Sequence, residues 1–307
     1  MKRTADTLSL FDLMQMYPTE EDAIRYMERI RWGNTPCCTR CGSTDKISPN
    51  KKRFGDYWCG YCRQYFTART GTPLEHSRVR DVRKWIYASY LLMTSRKGIS
   101  ALQMKHELNV SYPTAWYMLH RLRLACGAKM EALRGIVEVD ETYIGGKEDN
   151  KHEHKKLHAG RGGVGKQAVL GMRERGGKVK AVPIADTTKE TMQGIIHENV
   201  RSGSTICTDE NAAYNGVAHR HRTVNHSAKE FVNDMAHTNG IESVWAVLKR
   251  GYNGTYHNWS KKHCHRYVDE FAFRLNEGNC ERDTQDRLDD LFRSMTGKTI
   301  TYRELTA

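Results

Sequence analysis

The chain has 307 residues, 38% of them hydrophobic and 28% charged, with a mean hydropathy of −0.72, which leaves apolar side chain for packed cores but too little for a membrane protein. No window approaches the ~18 uninterrupted apolar residues of a spanning helix, and the N-terminus turns polar too early for a secretory leader, so a cytoplasmic chain of roughly two domains with no membrane contact is expected. Forty-nine Lys and Arg against 36 Asp and Glu leave a net +13, and residues 1–135 hold 23 of the bases but only 12 of the acids; an excess so placed points to a polyanion bound by the N-terminal half.

In chain order, Thr19-Glu-Glu-Asp22 predicts an N-cap and acidic first turn, followed by Ala23, Ile24, Tyr26, Met27 and Ile30 at helical spacing. Cys38-Thr-Arg-Cys41 and Cys59-Gly-Tyr-Cys62 come next. Nine cysteines in a chain without a leader favour metal over disulfides, and paired CxxC knuckles at this separation suit four thiolates on one structural Zn2+ in a ribbon hairpin. A redox pair is the alternative. Cys37 breaks the knuckle symmetry and is taken as a bystander, while Cys126, Cys207, Cys264 and Cys280 lack paired spacing and read as buried thiols. Gly42, Gly55 and Gly60 are expected in turns needing positive φ, and Phe54, Tyr57, Trp58, Tyr61, Tyr65 and Phe66 are expected to form the ribbon's small core.

Val82, Trp85, Ile86, Ser89, Tyr90 and Met93 mark an amphipathic helix; a short helix from Ser100 to near Asn109 follows, then a third capped by Ser111 with Pro113 in its first turn. Two short helices joined by a tight turn, the second carrying His120, Arg121 and Arg123, predict a helix-turn-helix-like unit, with a plain helical pair as the alternative.

From Gly135 the pattern becomes strand-like. Residues 136–143, 168–172 and 179–184 read as three strands, 189–200 as a helix, 204–209 as a strand, 222–225 as another, and 240–249 as a helix. This order is that of a ribonuclease H-like α/β fold. It gathers Asp140 in mid-strand, Asp209 at the end of a later strand and Glu242 in the first turn of a helix. Carboxylates distant in sequence and converging at one sheet edge suit two Mg2+ or Mn2+ ions astride a phosphodiester, because oxygen ligands select hard cations. Glu141 and Glu210 follow Asp140 and Asp209 and point to opposite faces. The stretch 145–167, with Lys147, Lys151, Lys155, Lys156, Arg161 and Lys166, is either a phosphate-contacting flap or a solvated loop. The expected organisation is a helical segment 1–33, a zinc ribbon 34–72, the helix-turn-helix-like region 73–134, the catalytic domain 135–276 and a tail 277–307, which packs on the core or serves a partner chain.

The motifs together resemble the IS1595, or ISXO2-like, family of insertion-sequence transposases. The resemblance rests on the four cysteines followed by Phe66-Thr-Ala-Arg-Thr-Gly-Thr72, on Val139-Asp140-Glu-Thr-Tyr-Ile-Gly-Gly-Lys147, on Thr208-Asp209-Glu-Asn-Ala-Ala-Tyr214, on His237-Thr-Asn-Gly-Ile-Glu242-Ser-Val-Trp245 with Lys249-Arg-Gly251, and on matching stretches at 254–257 and 267–276. It implies a DDE-type enzyme in which Asp140 and Asp209 are the catalytic aspartates, Glu242 the third acid and Lys249 a DNA-contacting base. The family varies its third position between Glu, Asn and His, so Asn239, one helical turn earlier, is the alternative third ligand. The resemblance further implies metal-dependent cleavage at transposon ends and strand transfer into target DNA, by a homo-oligomer assembled on DNA at the nucleoid. Two other functions fit the residues: a DNA-binding regulator without catalysis, and a nuclease that cuts without joining.

Overall fold

The computed structural model describes residues 7–127, 130–146, 152–156, 163, 165–224, 237–277 and 282–307. The chain divides into two compact units, residues 1–128 with 277–307, and residues 129–276.

The first unit begins with helices α1 (Leu10–Met16) and α2 (Glu20–Trp32), each opened by a capping box, Ser9 with Asp12 and Thr19 with Asp22. A three-stranded antiparallel sheet follows, β1 (Ile47–Pro49), β2 (Asp56–Cys59) and β3 (Gln64–Thr67), in that spatial order. Its core differs from the expected one. Tyr57 and Phe66 pack there with Ile47 and with Trp32, contributed by α2, whereas Phe54, Tyr61 and Tyr65 are exposed. Three short strands have room on their inner face for only a few rings, and α2 supplies the missing one. Gly42 and Gly55 take positive φ as expected. Gly60 does not; Lys46 and Arg63 adopt the left-handed turns instead, and a Cβ at Gly60 would meet the Lys46 carbonyl oxygen at 3.3 Å.

Three helices complete this part: α3 (Val82–Thr94), α4 (Ala101–Leu108) and α5 (Tyr112–Cys126). Asn109 ends α4 in the left-handed conformation and Ser111 caps α5, so the predicted helix pair and turn are present. Its basic residues, however, do not form a reading face: His120, Arg121 and Arg123 are at most 2% exposed. The Arg121 guanidinium donates to the Pro73 and Glu75 carbonyl oxygens and, at 2.7 Å, to the Tyr117 hydroxyl. Buried arginine is tolerable on such terms, and α5 is consequently a core helix whose exposed portion is its first turn.

In the second unit the strands are β4 (Ile136–Ile144), β5 (Gln167–Glu174), β6 (Val179–Ile184), β7 (Thr205–Thr208) and β8 (Arg220–Thr223), with helix α6 (Lys189–Asn199) between β6 and β7. They form one mixed sheet in the order β6-β5-β4-β7-β8; β4, β5 and β6 are antiparallel, and β7 runs parallel to both β4 and β8. The last strand starts two residues earlier than expected, since the polar Arg-His-Arg-Thr edge has no apolar alternation to mark its bounds, and Asn225 lies outside the described residues. Two helices follow, α7 (Asn239–Gly251) and α8 (Cys264–Glu277).

The pleat sends alternate side chains to opposite faces. Val137, Val139, Leu170 and Met172 pack with Met192 and Ile196 of α6, whereas Ile144 and Val169 pack with Ile241, Trp245 and Leu248 of α7 and Val268 and Phe271 of α8. The chain then rejoins the first unit through α9 (Thr284–Arg293) and α10 (Tyr302–Thr306). The tail packs on its own unit: the Tyr26 hydroxyl donates to Asp289 at 2.9 Å and Arg287 donates to the Met93 carbonyl oxygen at 3.1 Å. Lys147, Lys151, Arg161 and Cys280 lie outside the described residues, and Lys156 pairs with Glu153 at 2.7 Å.

Gly171 of β5 and Gly194 of α6 should respond oppositely to alanine. A Cβ at Gly171 would stand 2.3 Å from the Trp245 ring, while at Gly194 it meets nothing within 4 Å. Thermal unfolding should show Gly171→Ala destabilising by about 1–3 kcal/mol and Gly194→Ala stabilising by about 0.5–1 kcal/mol, because a mid-helix glycine carries excess backbone entropy.

Candidate metal centres

Four thiols meet at the ribbon. Cys38 and Cys41 flank one knuckle and Cys59 and Cys62 the other, and their sulfurs all lie within 4.8 Å of one another. The Cys38–Cys62 and Cys41–Cys59 Sγ separations are each 3.6 Å, close to the ~3.8 Å between thiolates bound tetrahedrally at ~2.3 Å to Zn2+. The backbone N–H of Cys62, and after it that of Tyr61, holds the Cys59 thiol down at about 7 against its burial, whereas burial first and the neighbouring thiols next push Cys62 up to about 12. The donor set fits one structural Zn2+. Cys37 stands outside it, its sulfur directed at the Gly42 carbonyl oxygen at 3.3 Å.

The second centre is built around β4, where Glu138 and Asp140 share one face and Glu141 takes the other. Asp140 lies opposite Gly171 in the β4–β5 ladder. With no side chain at Gly171, the Trp245 ring lies against that strand, and its indole N–H donates to Asp140 Oδ2 at 2.9 Å. Two residues earlier, the buried Glu138 accepts from the Ile241 backbone N–H at 3.0 Å and approaches Arg175 and His237, each at 3.2 Å. A Cβ at Gly240 would sit 2.4 Å from Glu138 Oε2, so glycine there admits the carboxylate to the start of α7.

Asp209 follows β7 directly. The parallel register pairs Glu138 with Cys207, and continuing it two residues sets Asp209 level with Asp140 on the adjacent strand. On the opposite face of β4, Glu141 accepts from the Tyr214 hydroxyl at 2.6 Å and from the Asn211 side-chain amide at 2.7 Å, while the Asn211 backbone N–H donates to Asp209 Oδ1 at 3.1 Å. Glu141 thereby anchors the turn that carries Asp209. Burial, then the charges of Glu141 and Asp209, push Asp140 up to about 7.

Glu242 and Lys249 are exposed on α7, seven residues apart on one side of the helix. Glu242 accepts from the Thr238 hydroxyl at 3.0 Å and lies one turn before Trp245; Asn239 is the exposed first residue of α7. Among the described residues the four cysteines are the one group of three or more metal-ligating side chains gathered within 4.8 Å, so Asp140, Asp209 and Glu242 are not all that close together. Asp140 in the middle of β4 and Asp209 just after β7, with Asp140 pushed up by burial and then by like charge, fit a hard divalent cation, and Glu242 stands on the helix bonded to Asp140. Sequence reasoning missed Glu138, Asn211 and Tyr214 and gave Glu141 no role. The two-residue spacing of Glu138 and Asp140 was the available signal, since it sets both on one face.

The Asp140 environment has a consequence for stability. Its carboxyl ionises near 3.8 in the unfolded chain and at about 7 in the folded one, so the native state binds the extra proton and stability falls as pH rises between those values. Asp140→Asn should therefore match the wild type near pH 4 and exceed it by roughly 1–4 kcal/mol at pH 8 in magnesium-free buffer, with thermal unfolding across that range as the check.

A profile of the ISXO2-like transposase domain matches residues 132–276, and one of the transposase zinc-ribbon domain matches residues 18–65. An uncharacterised protein of transposable element ISH50 from Halobacterium salinarum is 30% identical over 275 residues, which span 85% of this chain and 92% of that protein. A chain of the simian T-cell lymphotropic virus intasome, solved in complex with PP2A regulatory subunit B56 gamma, is 14% identical with a TM-score of 0.28 over 62% of this chain and 65% of its own, a likeness too slight to carry an argument. Among the described residues no helix is long and apolar enough to cross a membrane. With its four-cysteine ribbon and its mixed-sheet domain both matched, the chain belongs to the ISXO2-like transposases of the IS1595 family.

Proposed function

We propose that this chain is a DDE-type DNA transposase that cleaves at the ends of its element and joins them to target DNA, with Asp140, Asp209 and Glu242 as the acids of one site. The observation that carries the reading is the Asp140 carboxyl, pushed up to about 7 by burial and then by the charges of Glu141 and of Asp209, the residue that follows β7. Such a pair gains by neutralisation with positive charge. The strand order, three antiparallel strands continued by two parallel ones on the far side of the first, supports reading residues 135–276 as a ribonuclease H-like catalytic domain, preceded by the ribbon at 34–72 and helices at 73–134.

Asp140 and Asp209 would hold two Mg2+ or Mn2+ ions with Glu242. Bound there, these cations supply the charge neutralisation and nucleophile activation of an in-line displacement at phosphorus. The residues of the chain do the rest. Trp245 fixes the Asp140 carboxylate by its indole N–H, Asn211 fixes Asp209, and Glu141 holds Asn211. Lys249, two turns along α7 from Glu242, is placed to meet a DNA phosphate. Water is the nucleophile in cleavage, and the freed 3′-hydroxyl is the nucleophile in joining. The substrates are the element's ends and target DNA, met in the cytoplasm by a homo-oligomer.

The test incubates purified full chain with a labelled duplex carrying the native element end, a target plasmid, and Mg2+ or EDTA. Joining should require the cation and fall by more than about a hundredfold in Asp140→Ala, Asp209→Ala and Glu242→Ala, with DNA binding retained, whereas Asn211→Ala, which removes a support of a ligand, should cost about 10–100-fold. Loss in Asn239→Ala but not in Glu242→Ala would move the third ligand to Asn239. Binding without cleavage would indicate a regulator, and cleavage without joining a nuclease.

A further inference from the structure

Residues 66–131 lie between the two matched profiles, and they include the Phe66-Thr-Ala-Arg-Thr-Gly-Thr72 motif that the catalytic site does not use. From Ala68 to Asp81 this segment has no regular helix or strand, yet its backbone is pinned. Arg121 holds the Pro73 and Glu75 carbonyl oxygens from beneath, and the Trp85 indole N–H donates to the Val79 carbonyl oxygen at 3.1 Å. The Thr72 hydroxyl donates to the Arg69 carbonyl oxygen at 2.6 Å, and the Arg69 guanidinium donates at 3.3 Å to the carbonyl oxygens of both Val79 and Arg80. The exposed His76, which is not a glycine, sits at φ +58°, an uncommon conformation for a residue with a side chain.

This rigid segment forms one wall of a cleft of about 570 Å3, with Arg40 of the ribbon on the other, and Arg69, Arg78, Arg80 and His76 share the lining. Its one acid, Glu75, is already engaged by the Gly71 backbone N–H at 2.7 Å, by Arg40 at 3.6 Å and by His76 at 3.6 Å. Four arginines against one acid leave the lining of the cleft cationic, and Asp56 and Glu20, which act on Arg69, are not part of that lining. Arginine rather than lysine lines it throughout, and the planar guanidinium matches phosphate oxygens in pairs.

We propose that this cleft is a groove for the sugar-phosphate backbone of duplex DNA, holding the N-terminal unit on its substrate. The choice of DNA as the polyanion rests on the transposase reading above. The groove takes the place of α5 as the basic surface, since the arginines of α5 are buried and one of them, Arg121, holds the backbone of the segment that lines it. Contacts of this kind fix position without reading sequence, so they should act alike on any duplex.

The test measures binding of the zinc-loaded full chain to a fluorescein-labelled 30-base-pair duplex of arbitrary sequence by anisotropy, over a range of NaCl concentrations. Arg78→Ala/Arg80→Ala should make the slope of log K against log salt less negative by about two and weaken binding on the order of tenfold near physiological salt, while Arg78→Lys/Arg80→Lys keeps most of the slope. An unchanged slope in the alanine variant, with one zinc per chain and an unaltered melting temperature, would overturn the proposal. If the double variant does not fold, Arg78→Gln and Arg80→Gln singly should each remove about one from the slope, and no change in either would overturn it equally. Joining activity is not read here, so a chain that joins no DNA but loses slope on substitution supports the groove while contradicting the catalytic reading.

Discussion

The docking of α7 against the sheet is the constraint on which the second unit depends. Asp140, Gly171 and Trp245 form one contact: the residue opposite Asp140 carries no side chain, the indole ring fills that space, and its N–H reaches the carboxylate at 2.9 Å. Two residues back, Glu138 is buried at 1% exposure and accepts from the Ile241 backbone N–H, one of the donors that a helix start leaves without an intrahelical partner. A hydrogen bond to a charged group contributes about 1.5–3 kcal/mol, and leaving such a group buried without it costs more. The apolar face of α7, Ile241, Val244, Trp245 and Leu248, then packs on the sheet, and the same rotation turns Glu242 and Lys249 to the outside.

The other face of β4 performs the complementary task for Asp209. Glu141 accepts from Tyr214 and Asn211, and the Asn211 backbone N–H donates to Asp209. One strand therefore organises both aspartates, Asp140 through its own side chain and Asp209 through its neighbour's, which explains why the Val-Asp-Glu-Thr-Tyr and Thr-Asp-Glu-Asn-Ala-Ala-Tyr stretches occur together. The arrangement is electrostatically uncomfortable. Three carboxylates are fixed by neutral donors, and the one in the middle is pushed up to about 7. Perturbation of this kind in mid-strand costs stability and would be relieved by a positive charge.

Much of this was legible in the sequence, for identifiable reasons. Matched CxxC knuckles can hardly be used otherwise than as a tetrahedral site, so Cys38, Cys41, Cys59 and Cys62 read directly. Alternation in residues 136–143 located β4 and sent Asp140 and Glu141 to opposite faces. Other features were hidden because they are set by tertiary packing. Helical periodicity cannot tell an exposed arginine from one satisfied by distant carbonyl oxygens, and so Arg121 counted toward a basic helix-turn-helix-like unit when its partners are the Pro73 and Glu75 carbonyl oxygens. Trp32 enters the ribbon core from a helix the ribbon motif does not include. Glu138 was missed because its partner, a backbone N–H, lies 103 positions away and has no side-chain signature.

The central claim is that Asp140 and Asp209, held by Trp245 and Asn211, make a site for divalent cations. Titration of the zinc-loaded full chain with Mn2+, followed by the loss of the free-ion electron paramagnetic resonance signal, tests it without requiring an active DNA substrate. The account predicts Mn2+ binding in the wild type and in Lys249→Ala, and its loss in Asp140→Ala and in Asp209→Ala. Equal Mn2+ uptake by the wild type and both aspartate variants would contradict it.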